Sequence, residues 1–545
     1  MNRCFIANSL WQVANFGRAR AFRKSLQIPG EAQRRVLLRI LRRNRKASFG
    51  RRYGFDDIDS VERFQERVPI VSYDDLASVL DRIRRGEPGV LTEDPVVRLV
   101  PSSGSTAACK LIPYTRGFQA EMNNAIGPWI CDLFGADPDL KRGPAYWSIS
   151  PALDAPHPDS VIPIGFETDS AYLGGILRRL VDAVVAAPSC LRYARDPDLF
   201  AYLTLLHLLA ERELRIVSVW HPSFFLLLLD AFAKWRGRLV KDIAHGTVDP
   251  PGEMDPRLPS AVTGGFRPDP ARASEVAHLD PDFPGDLWPS LGLLSCWAHG
   301  PAESAAKDLA ARFPQARLQP KGLMATEGVV TVPFEAMSPV AVTSHFYEFI
   351  EPSGRVRTVD SLDAGMRCEI VLTTGAGLYR YRLGDLVEVN GFSGKTPSLR
   401  FIGRGDRVSD LRGEKLSEGH VADALRLSLR ETGVAARFAM LAPEPEGATA
   451  GYILYLQTDD PPAPELGTVL DRRLSENPHY GYCRRLGQLE AVKIFSVRGD
   501  AHALYIERFR RHGTRLGDIK PSALSVERGW KRIFSGAKGP ASCSR

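Results

Sequence analysis

The sequence predicts an α/β protein with a large N-terminal body, residues 1–405, and a small C-terminal α+β domain, residues 406–545. Three observations carry that expectation. Between residues 117 and 328 helical periodicities alternate with short β-rich runs, as in a parallel or mixed sheet covered by helices on both faces. After Gly328 the texture changes to alternating strands, which read as an antiparallel lobe. From Val408 onward a separate order of helix, strand, helix and strand begins. At 545 residues the chain is too long for one hydrophobic core, and its 44% apolar and 25% charged residues are those of an ordinary globular protein.

The N-terminus carries Leu10, Val13, Phe16 and Phe22 interrupted by Arg18 and Arg20, the pattern of an amphipathic helix without the continuous apolar stretch of a signal peptide. Residues 31–44 repeat apolar side chains at Val36, Leu37, Ile40 and Leu41, and residues 73–85 do so at Leu76, Val79, Leu80 and Ile83. Helices are therefore expected in both, punctuated by Gly50, Gly54, Pro69 and Gly86. Residues 96–101 and 111–115 suit two short strands around a polar loop. The body then offers helices at 121–133, 177–185, 199–212 and 224–232, strands at 146–149, 216–219 and 291–294, and a short helix at 271–278 inside a proline-rich connection. Strands follow at 331–334, 343–350, 368–373, 378–382 and 386–389. The C-terminal domain reads as a helix at 418–429, a strand at 451–457, a helix at 466–477 and a strand at 491–497, with a frayed end after Gly536.

Composition excludes several classes of function. The net charge of +7 is modest, and the arginine clusters lie on helical patterns, so no nucleic-acid partner is expected. The longest apolar run, residues 224–229, is too short to span a bilayer. Eight cysteines occur without a C-x-x-C pair and the histidines without H-E-x-x-H, so neither a zinc site nor a disulfide framework is expected. A reducing cytoplasm fits that usage.

Four segments combine polar groups with glycine. The first is the loop Ser102, Ser103, Gly104, Ser105, Thr106, Ala107, Ala108, Cys109 and Lys110: hydroxyls and backbone N–H groups around a glycine, closed by a lysine, suit phosphate oxygens. A polar hairpin would read the same way. Thr326 and Glu327 place a hydroxyl beside a carboxylate, which suits a phosphate and a hard cation, or simply a turn between strands. Gly384 and Asp385 end a strand-like run that bears Arg380 and Arg382, where a carboxylate can accept ribose hydroxyls, or shape a hairpin. Gly403, Arg404, Gly405 and Asp406 stand at the domain junction, as a hinge or a solvated linker. Ser393, Gly394, Lys395 and Thr396 mimic the end of a Walker loop, but Val389 occupies the position of its first glycine.

In order, spacing and residue type these segments resemble the adenylate-forming superfamily. Its Thr-Ser-Gly-Thr-Thr-Gly-x-Pro-Lys loop aligns with residues 102–110 without a gap, and its Thr-Glu, Gly-Asp and Gly-Arg-x-Asp motifs fall on 326–327, 384–385 and 403–406. Within it the chain resembles the auxin-responsive-promoter (Gretchen Hagen) family of acyl-acid amido synthetases, in its bacterial branch. The likeness rests on residues 218–224, 294–297, 323–332, 345–350, 379–385, 477–489 and 513–521.

The resemblance implies a large body and a C-terminal lid, and two half-reactions. ATP and a carboxylic acid would give an acyl-adenylate and pyrophosphate, and an amino acid's amine would then capture the acyl group. It further implies that Ser102, Ser103, Gly104, Ser105, Thr106 and Lys110 cradle phosphate, Thr326 contacts the α-phosphate and Glu327 holds Mg²⁺. Asp385 would bind the ribose, Arg404 the ribose or phosphate, Asp406 would mark the hinge, and Lys520 would be the lid lysine of adenylation. Lys415 competes with Lys520 for that role. Ala107 and Cys109 depart from the superfamily's glycine and proline, and Leu323 stands where relatives often place an aromatic residue against adenine.

Trp220, His221 and Trp297 read as core or as walls of an acyl pocket, and Tyr347 and Glu348 as strand residues. The pocket walls show no diagnostic polar anchor, so neither the acid nor the amino acid is identified. The expected partners are small molecules, with no membrane and a monomeric state. Two alternatives remain open on the sequence: an acyl-CoA ligase of the phenylacetate type, and a non-catalytic nucleotide- or acid-binding protein on the same fold.

Overall fold

The computed structural model describes residues 2–101, 110–147, 160–166, 173–194, 196–279, 284–299, 302–405, 408–409, 411–412, 414–444, 450–485, 489–511, 519 and 521–535. These divide into two compact units: residues 1–297, 308–383 and 388–400, and residues 298–307, 384–387 and 401–545.

In the first unit the helices form where the apolar spacing calls for them. Helix Pro29–Arg43 begins on a proline, whose missing N–H costs nothing in the first turn. It buries Val36, Leu37, Ile40 and Leu41 against Phe55, Phe64, Phe346 and Tyr379. Helix Tyr73–Arg84 starts in a capping box: the Ser72 N–H donates to Asp75 Oδ2 at 2.8 Å and the Asp75 N–H to Ser72 Oγ at 3.4 Å.

Helix Arg3–Ser25 departs from the expected orientation. Leu10, Val13 and Phe16 are exposed, while Trp11, Ala19 and Phe22 are buried. Side-chain amides decide the matter: Asn8 donates to the carbonyl of Lys141 at 3.1 Å and Gln12 to that of Cys131 at 3.3 Å. The buried face thus mixes apolar and hydrogen-bonding residues, which hydrophobic periodicity cannot register.

Strands Val96–Pro101 and Leu111–Thr115 pair antiparallel, Pro101 facing Leu111, so the polar segment of the sequence is flanked by two paired strands as expected. A parallel sheet follows, in the order Ala145–Trp147, Ile216–Ser218, Leu293–Cys296 and Arg317–Pro320. The last strand was not foreseen. It lies at the sheet's edge, where an exposed arginine and a proline are tolerated.

A five-stranded sheet runs in the order Val356–Thr358, Phe346–Ile350, Arg367–Thr373, Tyr381–Ser393 and Thr396–Arg404. The turn between its last two strands contains Gly394 (φ 61°) and Lys395, whose N–H donates to the Leu26 carbonyl at 2.8 Å. The Walker-like stretch is therefore a hairpin turn. One continuous strand also replaces the two expected at 378–382 and 386–389.

The second unit is built on strands Ala436–Pro443, Tyr452–Thr458 and Lys493–Ser496, the first pair antiparallel and the second parallel. Helices Glu418–Glu431 and Leu466–Leu474 supply Val421, Leu425, Leu470 and Leu474 to a core with Leu441 and Leu454. Strand Ala436–Pro443 and helix Ala501–Arg511 add to the expected elements. The frayed end expected after Gly536 lies outside the described residues.

Candidate active site

Thr326 and Glu327 are the two loop residues of a tight hairpin, with Met324 paired to Val329 and Ala325 to Gly328. A two-residue loop fixes both side chains at the tip of the turn. Thr326 is half-buried, and Glu327 is only 8% exposed. Gly328 is required by a close approach: a Cβ there would lie 2.8 Å from Leu372 Cδ2 and 3.0 Å from His345 Nε2.

His345 belongs to a buried polar group that the sequence did not flag. Its Nδ1 lies 2.9 Å from Glu121 Oε2, which also accepts from the Gly375 N–H at 3.0 Å. The imidazole stacks on Phe118, ring centres 5.4 Å apart. Its Nε2 has no hydrogen-bond partner among the described residues and, together with Cδ2, faces Gly328. Tyr347 supports the same hairpin from below: its hydroxyl donates to the Val329 carbonyl at 2.6 Å, and burial raises its pKa above the usual phenol range.

Arg380 and Arg382 do not share a strand face. Arg380 precedes the strand in a left-handed conformation (φ 48°) and is buried, whereas Arg382 is exposed against Glu369. Arg380 makes a bidentate pair with Glu348, Nε to Oε2 and Nη2 to Oε1 both at 2.9 Å. Its Nη1 donates to the carbonyls of Gln65 and Val68 at 2.8 and 2.7 Å. Glu348, expected to be an ordinary strand residue, is fully buried. The pair clamps the segment that leads into the Gly384–Asp385 motif.

In the second unit Asp385 is 3% exposed, and Arg404 Nη1 approaches its Oδ1 at 3.4 Å. The Gly405 N–H donates to the Gly384 carbonyl at 2.7 Å, with Gly384 at φ 81°. Two motifs separated in sequence are thus brought side by side, an acceptor next to a five-donor cation. Lys415 is exposed in a left-handed conformation (φ 45°), and its carbonyl accepts from Asn477 at 3.3 Å.

Ser102, Ser103, Gly104, Ser105, Thr106, Asp406 and Lys520 lie outside the described residues. Lys110, at the end of the loop, is half-buried with its Nζ 5.6 Å from the centre of the Tyr73 ring. Trp220 and Trp297 are half-buried with ring centres 5.8 Å apart, at the carboxyl ends of parallel strands, where α/β folds bind ligands. His221 is buried, as its core reading expected, and also caps a helix: its Nδ1 accepts the Ser223 N–H at 3.2 Å at the start of helix Pro222–His245.

No group of three histidine, cysteine or acidic side chains forms a metal cage among the described residues. No helix among them is long and apolar enough to cross a membrane.

Comparison with known proteins places this architecture. The Arabidopsis thaliana indole-3-acetic acid-amido synthetase GH3.3 is 23% identical over 421 residues, covering 72% of this chain and 70% of the relative. The Nicotiana attenuata jasmonoyl–L-amino acid synthetase JAR6 is 24% identical over 417 residues, covering 71% of each. The solved structure of the AtGH3.15 acyl acid amido synthetase in complex with 2,4-DB shares the fold, with a TM-score of 0.80, 20% identity and 96% of each chain covered. Family models match in sequence order: the GH3 family N-terminal domain over residues 18–318, the central domain over 338–404 and the C-terminal domain over 420–528. With its N-terminal model spanning more than half of the sequence, the chain belongs to the GH3 family.

Proposed function

We propose that this protein is an ATP-dependent ligase that joins a carboxylic acid to the amine of an amino acid through an acyl-adenylate. The observation that carries the reading is the juxtaposition of Asp385 and Arg404 in a chain of the GH3 family, whose named members are acid–amino acid synthetases. The relatives are named for different acids, so they support the reaction class and not a particular acid.

In the first half-reaction a carboxylate oxygen attacks the α-phosphorus of ATP and pyrophosphate leaves. Thr326 donates its hydroxyl to an α-phosphate oxygen, and the residues 102–106 loop and Lys110 take the remaining phosphate charge. Asp385 accepts from the ribose hydroxyls, Arg404 donates beside it, and Lys520 donates to the reacting carboxylate. In the second half-reaction the amine nitrogen attacks the acyl carbon, loses a proton and expels AMP.

Glu327 is the residue that would hold Mg²⁺. A single buried carboxylate, without a protein cage among the described residues, suits a cation that takes one or two carboxylates and fills its shell with water and phosphate oxygens. Mg²⁺ there would neutralise charge on the departing pyrophosphate. The six described cysteines are all free, which supports a reducing cytoplasm, and the reading takes the enzyme to act as a monomer.

The test is a pyrophosphate-release screen over acids, with and without amino acids. Release that requires both ATP and an acid, with amide formed only when an amino acid is present, is the expected result. Thioester formation with CoA in place of an amide would assign the chain to the CoA-ligase alternative. No release across a broad acid panel would overturn the assignment.

A further inference from the structure

Helix Arg3–Ser25 presents to solvent the apolar side chains that hydrophobic patterning would bury. Ile6, Leu10, Val13 and Phe16 are between 38% and 58% exposed. They follow one another at intervals of four, three and three residues, so they form a single stripe along one face of the helix, about 15 Å long. The opposite face is committed: Trp11, Ala19 and Phe22 lie in the core, and Asn8 and Gln12 donate to backbone carbonyls. Turning the helix to hide the stripe would break those bonds and expose that core face.

Charge decides what the stripe suits. The helix contains no aspartate or glutamate and carries Arg3, Arg18, Arg20, Arg23 and Lys24. Arg18 bonds to Asn15 and Asn124, and Arg23 pairs with Glu335. Arg20 and Lys24 are exposed and make no ion pair among the described residues. They follow Phe16 by four and eight residues, so the outward face runs from apolar to cationic along one line. Packing against a second copy would bury the stripe but leave those cations unanswered, because neither helix carries a carboxylate. An anionic bilayer surface answers both parts: the apolar side chains enter between the headgroups, and the cations meet lipid phosphates and carboxylates.

We propose that the outward face of helix Arg3–Ser25 docks the protein reversibly onto an anionic lipid surface. Docking of this kind lies in the plane of the interface and needs no spanning segment, so it accords with the lack of a membrane-crossing helix among the described residues. It departs from the sequence expectation of no membrane partner, which rested on the lack of a span. None of these side chains belongs to the nucleotide site, so the inference stands or falls independently of the ligase reading.

The test is sedimentation of the full chain with vesicles of phosphatidylcholine alone, and with vesicles containing about 30% phosphatidylserine. Binding to the anionic vesicles should be at least about tenfold tighter than to the neutral ones, and should weaken as sodium chloride rises from about 0.1 to about 0.5 M. Leu10→Gln with Val13→Gln should weaken it about tenfold or more, and Arg20→Gln with Lys24→Gln about 20-fold. Glutamine is a good helix former and the four positions are exposed, so both double variants should melt within about 2 °C of wild type.

Wild-type protein left in the supernatant with anionic vesicles would overturn the proposal. So would equal binding to both kinds of vesicle, or binding that the two folded double variants retain. Light scattering covers the other occupant: a dimer abolished by Leu10→Gln with Val13→Gln would assign the stripe to a second copy of the chain and refute lipid docking.

Discussion

Replacing Glu348 by alanine should destabilise the first unit more than almost any other single polar substitution. The carboxylate is fully buried and accepts three hydrogen bonds, from Arg380 Nε and Nη2 at 2.9 Å and from Gln65 Nε2 at 2.8 Å. Its removal leaves the Arg380 guanidinium, 5% exposed, with carbonyl partners at Gln65 and Val68 but without its counter-charge. Stranding one member of a buried ion pair costs about 3–5 kcal/mol. Glu348→Gln, which keeps the shape and one acceptor, should cost about 1.5–3 kcal/mol. Removing both charges in Arg380→Met with Glu348→Leu should recover most of the loss, since the penalty lies in the orphaned charge and not in the missing pair. Urea unfolding followed by tryptophan fluorescence measures these differences through the midpoint at constant slope. A Glu348→Ala variant within about 1 kcal/mol of wild type, or a double variant as unstable as the sum of its singles, would refute the reasoning.

Three other outcomes are expected. Asp385→Ala should raise the KM for ATP about 10- to 100-fold, through the lost charge-assisted bonds, and leave the acid's KM within about threefold; equal rises in both would remove Asp385 from the nucleotide site. Gly328→Ala should cost about 1–3 kcal/mol and lower kcat, because its methyl group would press on Leu372 and His345 and displace Glu327. Wild-type stability with unchanged turnover would contradict the close approach. His207 has its pKa pushed down by burial to about 4, so the folded state prefers the neutral ring. The unfolded chain binds the proton first, so this stability is present above about pH 6.5 and is lost as the pH falls toward 4. His207→Phe should therefore lose less stability than wild type between pH 7 and pH 4.5, by about 1–3 kcal/mol, in parallel urea titrations.

Much of the frame was legible because local patterns and tertiary packing agree along it. The helices at 29–43 and 73–84 bury the side chains that their spacing nominates, with Val79 half-buried, and the strands flanking residues 102–110 pair as their sequences implied. The turn at Thr326 and Glu327 was legible because a hydroxyl and a carboxylate stood next to a glycine ahead of an apolar run, and the two residues form the loop of a tight hairpin.

What was not legible depends on partners distant in the chain. Glu121 and His345 meet only in the fold, and nothing in a helix or a strand marks either as more than a surface polar residue. Glu348 lies in the apolar strand Phe346–Ile350, and only its contact with Arg380 explains a charge there. Lys321 follows a short, polar edge strand that carries no periodic signal, so a buried cation at that point is visible only once the sheet is assembled. Helix Arg3–Ser25 fails for the opposite reason: its apolar residues outnumber those the fold buries, and amides choose the inward face.

The central claim is tested most directly by following oxygen. An acid labelled with ¹⁸O in its carboxylate is incubated with ATP, an amino acid and the protein, and the nucleotide product is weighed by mass spectrometry. Attack of the carboxylate on the α-phosphorus, followed by capture of the acyl group by the amine, predicts AMP carrying one labelled oxygen for each amide formed. Label found in inorganic phosphate with ADP as the nucleotide product, or amide formed alongside unlabelled AMP, would contradict it.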